Sequence, residues 1–111
     1  MHVEVRKKGD VVVADLNGRL VGGVGDEILR EVVNELLAEG WKKILLNLSG
    51  VQVVDSAGIG ELVACHKRAV EKGGAIKILK PNEKLLDLFT ITKLIEIFDI
   101  FKDEKEALKA F

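Results

Sequence analysis

Ser56, Cys65 and His66 are the side chains here best suited to covalent or acid–base chemistry, with Asp55 beside the serine and His2 far from all three in sequence. A serine nucleophile needs a base to take its proton. His66 lies ten residues beyond Ser56, about 15 Å along a continuous helix and out of reach of the hydroxyl. Asp55-Ser56-Ala57-Gly58 also lacks the glycine two residues before serine that marks a nucleophile elbow. Cys65 and His66 are adjacent, so a helix points them in different directions, and with no second cysteine they make no metal site. Cys65 is expected as a packed or half-exposed small residue and His66 as a surface group. The chain is not expected to be an enzyme, and no metal or cofactor is expected.

The chemistry left to Ser56 is to accept a phosphate. Ser56 or Asp55 is a natural N-cap for the amphipathic run that starts here and continues to Lys72. A cap alone leaves Gly58 and Gly60 unexplained, each less favourable inside a helix than alanine by about 1 kcal/mol. Two bare positions in the first turns imply close approach, by another part of the fold or by a partner. Phosphate on Ser56 would add about −1.5 to −2 charges. A helix N-terminus tolerates that dianion, whereas a partner packed over bare backbone would have to desolvate it. The physical outcome is a binding switch that leaves the fold intact.

Gly22-Gly23-Val24-Gly25 also precedes a helix, where free N–H groups attract anions. It has no Gly-Lys-Ser/Thr and no third glycine at dinucleotide spacing, and Asp26 and Glu27 put negative charge where a phosphate would sit. A flexible loop is the expectation, with a small-molecule or nucleotide-binding module as the rival.

These stretches need a scaffold to hold them. The 111 residues fit one domain, spanning 1–111, with a core of its own. A net charge of −1 and no basic stripe argue against nucleic acid. No apolar stretch approaches the length of about 20 residues that spans a bilayer, and Met1-His2-Val3-Glu4-Val5 is not a signal peptide. With one cysteine there is no internal disulfide, and a cytoplasmic protein is expected. Val3 to Arg6 and Val11 to Leu16 alternate around Gly9-Asp10 and predict a hairpin, with a bend or bulge at Asn17-Gly18 before Arg19-Leu20-Val21. Ile28, Leu29, Val32, Val33, Leu36 and Leu37 predict a helix closed by Gly40. Ile44 to Leu48 reads as a central strand covered on both faces.

The helix after Ser56 is expected to bury Ile59, Leu62, Val63, Ala69 and Val70 and to stop at Gly73-Gly74. Ala75 to Leu79 predicts a strand closed by Lys80-Pro81, and Leu85, Leu86, Leu88 and Phe89 a shorter helix. Ile95, Ile97, Phe98, Ile100 and Phe101 predict a last strand, and Asp103 with Glu106 the cap of a last helix. The order gives an α/β domain whose mixed central sheet has about four to five strands, with about four helices. No strongly apolar helix face is left over, so a monomer is expected.

Leu46-Asn47-Leu48-Ser49-Gly50-Val51 followed by Val54-Asp55-Ser56-Ala57-Gly58-Ile59-Gly60 resembles the signature of STAS domains, and among them the bacterial anti-sigma factor antagonists. The resemblance extends over essentially the whole chain, including Gly18-Arg19-Leu20, Gly73-Gly74 and Lys80-Pro81. It implies a phosphoacceptor at Ser56, modified by an anti-sigma factor that is itself a serine kinase and reset by a serine phosphatase. The unmodified antagonist would bind the kinase and free the sigma factor. Asp55, Ser56, Ala57, Gly58, Ile59 and Gly60 would form the partner surface, with Gly22, Gly23, Val24, Gly25 and Asp26 beside it. Val21 departs from the family pattern, because many members carry an acid there. A STAS module of a transport or stress-sensing complex, never phosphorylated, is the alternative within the same fold.

Overall fold

The computed structural model describes all residues, 1–111. Its elements run β1 (His2–Lys8), β2 (Val11–Leu20), α1 (Gly25–Ala38), β3 (Lys43–Val54), α2 (Ser56–Glu71), β4 (Ala75–Leu79), α3 (Glu83–Ile91), a 3-10 turn (Leu94–Glu96), β5 (Ile100–Phe101) and α4 (Glu104–Lys109). One five-stranded sheet has the order β1-β2-β3-β4-β5. Only β1 and β2 are antiparallel, joined at Gly9, whose φ of +64° suits glycine. The other neighbours are parallel and are linked by α1, α2 and α3. The α/β class, the mixed sheet and the four helices agree with expectation.

Alternation along the strands sends one set of side chains to each face. Val12, Ala14, Leu16, Ile44, Leu46, Leu48, Ile76 and Ile78 share the larger core with α1, α2 and α3. Val11, Val13, Leu45 and Leu79 pack under α4 around Ala107. Ile44, Leu45 and Leu46 are fully buried because β3 lies at the centre of the sheet and both faces are covered.

Several local expectations need correction. β3 does not end near Leu48; it continues to Val54, and register shifts opposite Asp15–Asn17 and Gly18–Arg19 absorb the irregularity. Val70 is 54% exposed and does not belong to the buried face of α2; Glu61 and Cys65 are buried there instead, with Ile59 and Val63 half-buried. The last strand shrinks to Ile100–Phe101, since Leu94–Glu96 form a 3-10 turn that sends Leu94 and Phe98 into the core and leaves Ile95 and Ile97 outside.

α4 is held by charge as well as by packing. The Arg6 guanidinium on β1 donates to Asp15 on β2 and to Glu104 on α4, and Asn47 on β3 donates to Asp15. These hydrogen bonds from Arg6 keep both carboxyls below their usual range. Carboxyls depressed in the folded state bind protons less readily than in the unfolded chain. Their contribution is therefore present above the ordinary carboxylate range and is lost as pH falls through the folded values.

Arg6→Gln should lower stability at neutral pH, and its deficit against the parent should shrink below about pH 4, measured by urea unfolding at constant ionic strength. A Cβ at Gly58 would lie 2.2 Å from the Leu20 carbonyl oxygen, whereas one at Gly60 would meet nothing within 4 Å. Gly58→Ala should thus destabilise by about 2–4 kcal/mol, while Gly60→Ala should stabilise by up to about 1 kcal/mol. Unfolding curves of the two variants side by side give both signs at once.

Candidate functional site

The site forms where two helix starts meet at one end of the sheet. β2 ends at Leu20 and β3 at Val54, neighbours in register. The chain leaves β2 through Gly22–Val24 into α1 and leaves β3 through Asp55 into α2. Asp55, in extended backbone, is the N-cap of α2. Its Oδ1 accepts from the Gly58 amide at 2.9 Å and its Oδ2 from the Gly22 amide at 3.0 Å, so one carboxylate ties the glycine loop to the helix start. Donation from Gly22 and then from Gly58 lowers the Asp55 pKa. The choice left open between Ser56 and Asp55 as the cap is thereby resolved in favour of Asp55.

Ser56 is the first residue of α2 and is exposed. With the cap supplied by Asp55, its hydroxyl makes no hydrogen bond within the chain. His66 packs its ring edge against Phe98 at 5.2 Å between centroids, on a different part of α2. It is half-buried, with Nδ1 enclosed and unpartnered, and so is not the plain surface group expected. Cys65 is buried, and that burial pushes its thiol up to about 12, which makes it unreactive.

The expected partner residues divide into two groups. Gly22, Gly23 and Val24 are exposed, Val24 at 61%, and Ala57 and Gly60 are exposed as well, with Ile59 half-buried. Asp26 turns inward to its own loop and accepts from the Gly23 and Glu27 amides. Gly25 and Gly58 are buried, and their bareness serves the fold: a Cβ on either would strike a carbonyl oxygen at the end of β2 at 2.2 Å. Reading the two as partner surface is corrected accordingly. Gly60 alone of the Gly58–Gly60 pair presents open backbone.

Sequence reasoning missed Glu61. It is buried, with Oε1 accepting from Arg30 Nε on α1 at 2.8 Å and Oε2 from Arg68 on α2 at 2.7 Å. Burial pushes its pKa up, but the bonds from Arg68 and Arg30 outweigh it and hold the group ionised. This ion pair locks α1 against α2 a few residues from their starts and keeps the glycine loop beside Ser56. A glutamate between Gly60 and Leu62, with Arg68 two turns on, was the available signal; Arg30 becomes its partner only once the helices pack.

Comparison with known proteins gives a consistent picture. The family model of the STAS domain matches residues 2–107. A Thermotoga neapolitana protein, named as a candidate anti-sigma factor antagonist, is 37% identical over 78 residues, 70% of this chain and 69% of the relative. The crystal structure of a Thermotoga maritima protein described in the same terms superposes with a TM-score of 0.90 at 29% identity, covering 97% of this chain and 92% of the other. SpoIIAA, an anti-sigma factor antagonist solved unphosphorylated, and phosphorylated as a Bacillus cell fate determinant, shares the fold at 20% identity. The two TM-scores are 0.71 and 0.74, each over 98% of this chain, with 96% and 98% of the SpoIIAA chains covered. Matched along nearly its whole length, this chain belongs to the STAS domain family.

Proposed function

We propose that this chain is an anti-sigma factor antagonist switched at Ser56. Unphosphorylated, it binds an anti-sigma factor that is a serine kinase and so frees a sigma factor in the cytoplasm. Phosphate on Ser56 ends that binding, and a serine phosphatase restores it. The observation that carries this reading is the exposed hydroxyl of Ser56 at the head of α2, released from capping by Asp55. A kinase can reach it without disturbing any bond of the fold. The names of the relatives support the regulatory role, and a phosphorylated form of SpoIIAA supports the modification.

The physical basis is a difference between helix and interface. The first-turn amides of α2 stabilise added negative charge where it is solvated. A partner seated on Gly60, Ala57 and the Gly22–Val24 loop would strip water from that charge, beside the Asp55 carboxylate that is already ionised. Binding weakens while the fold persists.

Ser56→Asp is accordingly expected to keep the thermal midpoint of the parent and lose at least about tenfold in kinase affinity, the equivalent of about 1.4 kcal/mol. Ser56→Ala should bind like the parent, remain unmodified with ATP and kinase, and unfold within about 0.5 kcal/mol of the parent; Asp55→Ala, which removes the cap and the loop tie, should be less stable. Intact-mass and peptide mass spectrometry after incubation with the anti-sigma kinases of the source locate the phosphate. Absence of phosphate from Ser56 with every such kinase would point instead to the unphosphorylated STAS module, with Val21 as its mark.

A further inference from the structure

The two faces of the sheet are covered very unequally. On one, α1, α2 and α3 enclose a core of 22 buried residues. On the other, Val11, Val13, Leu45 and Leu79 lie beneath Ala107 of α4 in a cluster of five. The clusters share no residue, because the sheet stands between them. α4 has little of its own to hold that place. It is six residues long, and isolated helices shorter than about 12–15 residues are marginal in water. Ala107 is its only buried side chain, and one methyl group removes little apolar surface from water. Leu108 and, past the helix, Phe111 are half-buried. Charge holds the two ends. Glu104 accepts from Arg6 of β1 at 2.6 and 3.2 Å, both groups partly in water. Lys77 of β4 lies 5.3 Å from the centre of the Phe111 ring. Contacts of these kinds are individually weak where water reaches them.

Both cations keep a second partner that does not belong to α4. Arg6 also donates to Asp15 through Nε and Nη2, and Asp15 is held in turn by Asn47. Lys77 also pairs with Asp99, ahead of β5. If α4 lifts, Glu104 passes into water while neither Arg6 nor Lys77 is left unpaired, so the largest penalty of breaking such contacts is avoided. We infer that α4 is a strap that opens as a unit about Lys102–Asp103 while the rest of the fold stays closed, with Arg6–Glu104 and Lys77–Phe111 as its two latches. Opening uncovers Val11, Val13, Leu45 and Leu79 and no residue of the larger core. The sheet keeps its ladders, since α4 supplies no strand. Arg30, Glu61 and Arg68 still join α1 to α2 on the other face, and Ser56 at the head of α2 is undisturbed. The open state is a sub-global one that bares an apolar stripe across β2, β3 and β4, drawn from the most thinly packed part of the molecule. It is independent of the switch at Ser56.

Thiol labelling of the full chain tests the proposal. Val13→Cys puts a thiol beneath α4, while Cys65, buried in the larger core, reports opening of the rest in the same molecule. Labelled peptides are followed by mass spectrometry, each rate being divided by that of the same thiol in the unfolded chain. The thiol at 13 is expected to react at least about tenfold faster than Cys65 while circular dichroism stays that of the parent. Glu104→Gln should raise the rate at 13 by about three- to tenfold. Amide hydrogen exchange of the unsubstituted chain is the second measurement and decides alone if Val13→Cys fails to fold. Amides of α4 should be at least about tenfold less protected than those of α2 and less sensitive to denaturant. Labelling of position 13 in step with Cys65, or α4 amides that exchange only with those of α2, overturns the inference. So does a slow thiol at 13 beside fast α4 amides, since the helix would then be fraying in place. A rate at 13 that Glu104→Gln does not move removes Arg6–Glu104 as a latch and overturns the device as stated.

Discussion

The contact on which the site depends is backbone against backbone: Gly58 of α2 rests on the carbonyl of Leu20 at the end of β2, with no room for a side chain between them. Gly25 makes the matching approach from α1, against the carbonyl of Arg19. Both helices therefore begin as close to the sheet as chains can come, and at the same end of it. Parallel strands require crossovers of this kind, and their ends are where ligands and partners of open α/β sheets gather. Here that end is filled by backbone, so no cleft forms. A smooth surface with one free hydroxyl remains, suited to recognition by another protein and poorly suited to enclosing a substrate.

Two carboxylates hold this arrangement and do different work. Asp55 acts at the surface and joins the glycine loop to the helix start through amides alone. Glu61 acts in the interior, joining α1 to α2 through Arg30 and Arg68. Glu61 is buried while its partners Arg30 and Arg68 reach solvent, so any other pairing of the helices would leave its charge buried and unpaired. Glu61 thus serves register more than strength. At the surface the Ala57 methyl also lies against Gly22, where an added Cβ would meet it at 3.0 Å, so the loop rests on the first turn of α2.

Much of the fold was legible because hydrophobic period and turn chemistry agreed. The hairpin at Gly9, the apolar faces of α1 and α3, the doubly covered run of β3 and the Asp103 cap all came from local signals. What escaped was tertiary. Nothing in Ser49-Gly50 announces that β3 continues, since bulges opposite Asn17 and Gly18 decide that. The dense run from Ile95 to Phe101 has the composition of a strand, yet Lys93 takes a left-handed turn that folds Leu94 and Phe98 inward. At the site, the cluster of Asp55, Ser56, Gly58 and Gly60 was recognisable as unusual. Its division of labour was not, because only the packed structure separates the glycine that meets Leu20 from the one that meets solvent.

That division bears on how a modification at Ser56 could act without a conformational change. A switch that works by refolding needs a second packing within a few kcal/mol of the first. Gly58 and Gly25 leave no slack for one, and Asp55 already occupies the amides that a rearranged first turn would need. Charge added at Ser56 has no buried neighbour to displace, so it stays in water while the chain is alone. Its free-energy cost arises only when a second surface removes that water. On the proposed switch the scaffold would stay rigid, the two states differing in what they allow to approach and not in how they are folded.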